Sequence, residues 1–347
     1  MNTAPVIDVI EKGTIARNFL KQMGISNFFD GSLTEVAINR PGEIWTEGSD
    51  GWRQHDAPAC TLDACFKLAN ALTVMKGGKF STKEPIHPVV LPDGERGHVL
   101  MSPACEQGTI SITIRVPSNV RYSIYEYEAN GWFTGYRDVS PGRDSSHQDD
   151  LLQPFELDIL EAQSQRNVVR MLELAIVNRL NILIAGGTGS GKTTLHKGLV
   201  DLVPSSERIG TIEDIPELSL PKHMNHVHMF FSDDQPARER VRSTLRMKFD
   251  RVFMAELRGD EAWDYLTLMN TDTPGGITTL HCNGARTAHS RIATLVKQSV
   301  VGQTLDWQFI MGQVRSTVDL VLFMRKKRLA EIWYDPISKW RWLDGLT

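Results

Sequence analysis

The sequence predicts an α/β protein in which a parallel-sheet, phosphate-binding domain follows a smaller mixed α/β domain. Three observations lead there. Gly186-Gly-Thr-Gly-Ser-Gly-Lys192-Thr193 fits G-x-x-x-x-G-K-[ST] and directly follows the short apolar run Asn181-Ile-Leu-Ile-Ala185, the strand-to-helix setting that the motif requires. Apolar or β-branched segments recur at 208–212, 252–255, 276–280 and 318–323, several of them separated by helix-like stretches. Such alternation implies a parallel sheet with its ligand at the carboxyl ends of the strands. Finally, 347 residues suit two domains of roughly 100–200 residues each.

The elements follow from periodicity. Val6, Val9, Ile10, Ala16, Phe19, Leu20 and Met23 recur at helical spacing, and so do Leu62, Cys65, Phe66, Ala69 and Leu72, which puts Cys65 in a core. Residues 33–39 alternate, Arg40-Pro-Gly42 turns, and 43–45, 96–101 and 109–115 read as further strands. The stretch 137–150 is polar, carries Pro and Gly, and lacks periodicity. It predicts an exposed linker, giving an N-terminal domain 1–136, a linker 137–153 and a C-terminal domain 154–347. A helical stretch is expected over 155–179, and the Trp-rich residues 329–342 are expected to close the second domain as an antiparallel hairpin.

Composition narrows the function. An apolar fraction of 41% and a net charge of −4 exclude disorder. No apolar run approaches the ~18 residues of a spanning helix, and the first residues lack the pattern of a signal peptide. Near-neutral charge argues against tight nucleic-acid binding, so direct binding is expected to be weak or none. Cys60, Cys65, Cys105 and Cys282 form no C-x-x-C pair, which fits a reducing, cytoplasmic setting.

The glycine-rich segment carries the chemistry. Glycines let successive N–H groups converge on an anion, and the following helix adds its positive end. Gly186, Gly187, Thr188, Gly189, Ser190, Gly191, Lys192, Thr193 and Thr194 are therefore the candidate nucleotide-binding residues. Lys192 is expected to reach the β- and γ-phosphates of a nucleoside triphosphate, and the Thr193 hydroxyl to meet Mg²⁺. Two acidic strand ends complete the set. Glu256 closes Arg251-Val-Phe-Met-Ala-Glu256 and suits the Mg²⁺ side; Glu213, in Thr211-Ile-Glu-Asp214, is the candidate base or water-positioning group. His281 ends Gly275-Gly-Ile-Thr-Thr-Leu-His281, where it can report the γ-phosphate.

In order, the P-loop, Ile212-Glu-Asp214, Leu245-Arg-Met-Lys-Phe-Asp-Arg-Val-Phe-Met-Ala-Glu-Leu-Arg258-Gly259 and Ile277-Thr-Thr-Leu-His281 resemble the P-loop, Asp box, Walker B and His box of the secretion ATPase superfamily. Leu33-Thr-Glu-Val-Ala-Ile-Asn-Arg-Pro-Gly-Glu-Ile-Trp45, Leu91-Pro-Asp-Gly-Glu-Arg96 and Ser111-Ile-Thr-Ile-Arg-Val-Pro-Ser118 resemble the amino-terminal strands of the VirB-type traffic ATPases of type IV secretion and conjugation systems. The resemblance covers about residues 30–325. It implies a RecA-like ATPase domain, a homohexameric ring, and ATP held between the two domains of a subunit. It also implies that Arg96 and Arg115 reach the phosphates from the amino-terminal domain, and that Arg246 and Arg258 are the Walker B arginines. Hydrolysis of ATP would move the domains and power substrate translocation or pilus assembly. The implied partners are other type IV secretion proteins at the inner membrane, with the chain cytoplasmic and peripheral there. Phe249 and Ala255 depart from the family, which usually has Pro and Gly at these places.

Two alternatives stand beside this reading: an assembly or retraction ATPase of type II secretion or type IV pili, and a nucleic-acid motor ATPase. The first is opposed by the missing C-x-x-C module of the assembly enzymes and by the amino-terminal match, the second by the charge. For Trp333, Trp340 and Trp342 near Arg325-Lys-Lys-Arg328, packing within the hairpin beside a solvated basic turn is the favoured reading, and a peripheral membrane contact is the alternative.

Overall fold

The structure is a computed structural model that describes residues 4–29, 31, 33–48, 50–116, 120–141, 151–232, 235–271 and 273–345, with side chains from residue 13 onward. Ser118, the linker stretch 142–150 and the side chains of Val6, Val9 and Ile10 lie outside the described residues. Two compact units divide between Val120 and Arg121.

In the first unit six strands pair antiparallel in the order β3-β2-β1-β6-β5-β4: β1 (Glu35–Ile38), β2 (Gly42–Gly48), β3 (Gly51–Ala57), β4 (Ile86–Val90), β5 (Arg96–Met101) and β6 (Ile110–Arg115). Helices α1 (Ala4–Gln22) and α2 (Leu62–Met75) join them in one core, where Leu20, Cys65, Leu68 and Leu72 meet Val99, Ile112 and Ile114. The alternation of β6 buries Ile110, Ile112 and Ile114 and leaves Arg115 exposed. Arg115 stands across from Glu35 on one side and from Arg96 on the other.

In the second unit β8 (Ile182–Gly186), β9 (Ile209–Glu213), β10 (His226–Phe230), β11 (Arg251–Leu257), β12 (Ile277–Leu280) and β13 (Leu320–Arg325) run parallel in the order β10-β9-β11-β12-β8-β13. β14 (Arg328–Tyr334) returns antiparallel to β13. The central β8 is buried along its whole length, as a strand covered on both faces must be. Helices α4 (Pro154–Ser164), α5 (Val168–Val177), α6 (Lys192–Val200), α9 (Ala285–Gln298) and α11 (Trp307–Thr317) supply most of the covering side chains.

Three expectations about element boundaries change. The contacts divide the chain at 120/121 rather than 136/137, because Ile124 and Tyr127 of α3 (Ile124–Ala129) pack with Phe133 and Tyr136 into the second core. Arg137–Asp138, read as linker, is strand β7, which pairs with β14. The single helix expected over 155–179 is two, broken at Arg166 with φ 57. There the guanidinium lies 4.6 Å over the Tyr136 ring and Asn167 caps α5 by accepting from Arg170 N at 3.0 Å. The closing hairpin is β13–β14; residues after it form α12 (Pro336–Leu343), capped by Asp335.

Arg121 fastens the second unit's edge. Its Nε and Nη2 fork the Asp201 carboxylate at 2.7 and 3.0 Å, and Nη1 reaches the Ser219 carbonyl at 3.0 Å. Both side chains are largely buried. Arg121→Ala strands Asp201 and is expected to cost about 3 kcal/mol, read as a lower denaturation midpoint for the second unit. Arg121→Lys recovers only part of it, because the fork is lost.

Burial pushes the Glu35 carboxyl up to about 7; Glu47 adds to the rise and Arg115 opposes it. The folded value lies above the unfolded one, so this group's contribution falls as pH rises from about 4.5 to about 7. Glu35→Gln should therefore stabilise the first unit at pH 8 and leave it unchanged at pH 4, as measured by thermal unfolding.

Candidate active site

The P-loop sits between β8 and α6, and two of its glycines, Gly186 and Gly191, are sterically required. A Cβ on Gly186 (φ 155) would stand 2.5 Å from both the Met324 carbonyl and Ser190 Oγ, and one on Gly191 (φ 94) would stand 3.2 Å from Lys327 Cα. Lys327 belongs to the tight turn of the β13–β14 hairpin, where Lys326 and Lys327 both take positive φ, as a two-residue hairpin turn demands. Its N–H donates to the Ser190 carbonyl at 3.0 Å. The basic turn is therefore a brace for the P-loop.

Lys192 is buried, and its Nζ donates to the carbonyls of Gly186 at 3.0 Å and Gly187 at 2.8 Å. Ser190 Oγ is buried without a hydrogen-bond partner. An orphaned hydroxyl, left-handed glycines and a lysine at one helix N-terminus fit a phosphate group.

The two acidic strand ends have different surroundings. Glu213 is fully buried. Its Oε1 accepts from Thr211 Oγ1 at 2.6 Å and lies 3.1 Å from His228 Nδ1; its Oε2 accepts from the N–H groups of Glu217 at 2.8 Å and Leu218 at 2.7 Å. With its oxygens occupied, this carboxylate holds a loop in place. The loop delivers Glu217, whose Oε2 accepts from the Thr193 hydroxyl at 3.3 Å. Sequence reasoning missed Glu217; its signal was a second carboxylate four residues beyond Glu213. Lys197, one turn along α6 from Lys192, is also buried. Burial lowers its pKa, Glu217 and Glu213 pull it back up, and Arg121 lowers it further.

On the next strand Glu256 faces His281, whose Nε2 lies 2.7 Å from Glu256 Oε1. Arg258 donates to Glu256 Oε2 from Nε at 2.8 Å and Nη2 at 2.6 Å, and Nη1 pairs with Asp214. Burial works against the Arg258 charge, but Asp214 and Glu256 outweigh it and raise its pKa. Arg258 thus ties the ends of β9 and β11 within one chain, and Glu256 meets His281 and Arg258 where Mg²⁺ was expected. Arg246 is exposed. Of the two departures, Phe249 lies against Gly210, where a Cβ would meet its ring at 2.8 Å, and Ala255 O accepts from Thr279 Oγ1 at 2.7 Å. Arg96 and Arg115 are cross-strand partners in the first unit. Among the described residues no cluster of three His, Cys, Asp or Glu forms a metal cage.

Trp333, Trp340 and Trp342 pack within the second unit. The Trp333 ring meets His289 at 4.2 Å, Trp340 Nε1 donates to Glu156 at 2.8 Å, and the Trp342 ring occupies the space above Gly312. Among the described residues no helix is long and apolar enough to cross a membrane.

Residues 151–330 match the family model described as type II/IV secretion system protein. The chain is 35% identical over 325 residues to the type IV secretion system protein VirB11 of Brucella suis, covering 89% of this chain and 88% of that protein. It is 38% identical over 339 residues to VirB11 of Bartonella quintana, covering 94% and 95%. The crystal structure of the VirB11 ATPase from the Brucella suis type IV secretion system, in complex with sulphate, matches with a TM-score of 0.54 at 33% identity over 97% of this chain and 99% of that one. With its P-loop and both acidic strand ends in place, this chain belongs to the VirB11-type ATPases of the type II/IV secretion protein family.

Proposed function

We propose that the chain is a homohexameric ATPase that powers substrate translocation or pilus assembly by a type IV secretion system, working with other proteins of that system at the inner membrane. The observation that carries the chemistry is the meeting of Glu217 with Thr193, 3.3 Å apart, beside a braced P-loop. The loop N–H groups and Lys192 hold the β- and γ-phosphates of ATP, and Thr193 is the side chain that would hold Mg²⁺. Mg²⁺, when bound, neutralises charge on the phosphates being separated.

Glu217 orients the attacking water and accepts its proton; Glu213 positions Glu217 through the two backbone N–H groups and makes no contact with substrate. Glu256 and His281 face the γ-phosphate from the strands beside the P-loop, and Arg258 couples them to Asp214, so loss of the γ-phosphate is transmitted between two strand ends.

Arg96 and Arg115 act from the first domain, placing guanidinium charge on the phosphates as the site closes. Their placement supports this. Paired across β5 and β6, the two residues bring guanidinium charge to one place on the sheet, with Glu35 across from Arg115 on β1. Closure on ATP and release after hydrolysis supply the stroke.

Phosphate release by the full chain tests this reading. Lys192→Ala should abolish Mg²⁺-dependent ATP hydrolysis. Arg96→Gln and Arg115→Gln should each keep the wild-type unfolding midpoint while turnover falls at least about tenfold. Hydrolysis by Lys192→Ala at the wild-type rate overturns the site, and undiminished turnover in both arginine variants overturns the role of the first domain. Sedimentation of the chain with ATP tests the ring.

A further inference from the structure

The second unit holds a cavity of about 570 Å³ that the ATPase chemistry does not use, lined by residues 139–141, α9, α11, β14 and α12. Its size is that of a small-ligand site. Arg286 and Arg315 stand on its wall, and among the described residues neither makes an ion pair. Among the described residues Arg286 donates only through Nε, to the Val139 carbonyl at 2.9 Å. Lys339, paired with Asp319, and Asp335, whose carboxylate caps α12 by accepting from Ser338 N at 3.0 Å, also line it. Met311 and Trp333 supply an apolar wall.

The most specific feature is His289. It is 4% exposed and lines the cavity, yet its Nε2 has no hydrogen-bond partner. The rest of the ring is fixed, hydrogen-bonded to the Val318 backbone and set edge-on to Trp333 at 4.2 Å. Burial, helped by Arg315, pushes its pKa down to about 4, so the imidazole is neutral and Nε2 is an acceptor waiting for a donor.

We propose that this cavity is a second anion site, which takes a phosphate monoester carried on an apolar or aromatic body. The chemistry of the walls selects the group. Two guanidinium forks call for several acceptor oxygens in a small volume, which phosphate supplies. Nε2 calls for a proton donor. A carboxylate carries one charge on two oxygens, whereas a phosphate monoester carries up to two charges on three oxygens at neutral pH, and a hydroxyl on the body that bears it supplies the donor that Nε2 lacks. The apolar wall then holds the body that bears the phosphate.

The same headgroup chemistry belongs to a soluble phosphomonoester and to phosphatidic acid in a membrane, so the test has two arms. Lys192→Ala removes the competing P-loop site and serves as the background for both. In the first arm, inorganic phosphate is titrated calorimetrically into full-length Lys192→Ala, Lys192→Ala/Arg286→Gln and Lys192→Ala/Arg315→Gln. One phosphate per chain is expected in the single variant, with affinity at least tenfold weaker in each double variant. Both arginines are exposed, so the substitutions leave the core intact. In the second arm, flotation with phosphatidylcholine vesicles, with and without phosphatidic acid, identifies the source. Flotation that requires both phosphatidic acid and the arginines assigns the site to a lipid headgroup, and calorimetric binding without flotation assigns it to a soluble phosphate. Absence of phosphate binding in Lys192→Ala, or equal binding in all three proteins, overturns the proposal.

Discussion

One buried carboxylate organises the catalytic edge of the second unit. Glu213 lies at the end of an inner strand with no exposed surface, where an ionised group survives only if its lone pairs are filled. Thr211 Oγ1 and the N–H groups of Glu217 and Leu218 donate to it, and His228 Nδ1 stands 3.1 Å away. Bonds to a charged group are worth about 1.5–3 kcal/mol each, so together they offset the desolvation and fix the backbone from 213 to 218. Everything that loop carries is then placed: Glu217 before Thr193, and Ser219 under the Arg121 guanidinium.

The same economy governs the P-loop. Its glycines leave room where the Met324 carbonyl, Ser190 and Lys327 approach, and the hairpin turn at Lys326 and Lys327 closes over it. Residues that look like a solvated basic patch in the sequence are a structural brace whose backbone, rather than its charge, makes the contact. Arg258 plays a comparable part between β9 and β11, with Asp214 on one side and Glu256 on the other. Three separate sequence boxes therefore behave as one mechanical unit.

Much of this was legible in the chain. β5 falls on residues 96–101 as read, and the strands of the parallel core were found because burial on both faces writes them as continuous apolar runs. The strands that went unread, β3, β4, β7 and β10, are all sheet edges. Edge strands are half solvated and carry polar residues, as in His226-Val-His-Met-Phe230, so their pattern is weak. The division by contacts at 120/121 was not legible for a related reason: Tyr127, Phe133 and Tyr136 reach a core built from residues far along the chain, and local periodicity does not report a distant partner. At the site, the P-loop was legible because its geometry depends on glycine. The different surroundings of Glu213 and Glu217 were not, since they rest on which carboxylate turns inward, and that is set by a tertiary hydrogen-bond network. The orphaned His289 shares α9 with Arg286, but Arg315 comes from α11, and no sequence signature announces their meeting.

The central claim is that Glu213 positions and Glu217 acts. The most direct measurement compares unfolding midpoint, ATP affinity and turnover in Glu213→Gln and Glu217→Gln. Glu217→Gln is predicted to keep its midpoint and its ATP binding while turnover falls by about a hundredfold or more. Glu213→Gln is predicted to lose stability and turnover together, because an amide cannot accept on both sides of its buried site. Wild-type turnover in Glu217→Gln, or full stability in Glu213→Gln with turnover abolished, would contradict this account and return the catalytic role to Glu213.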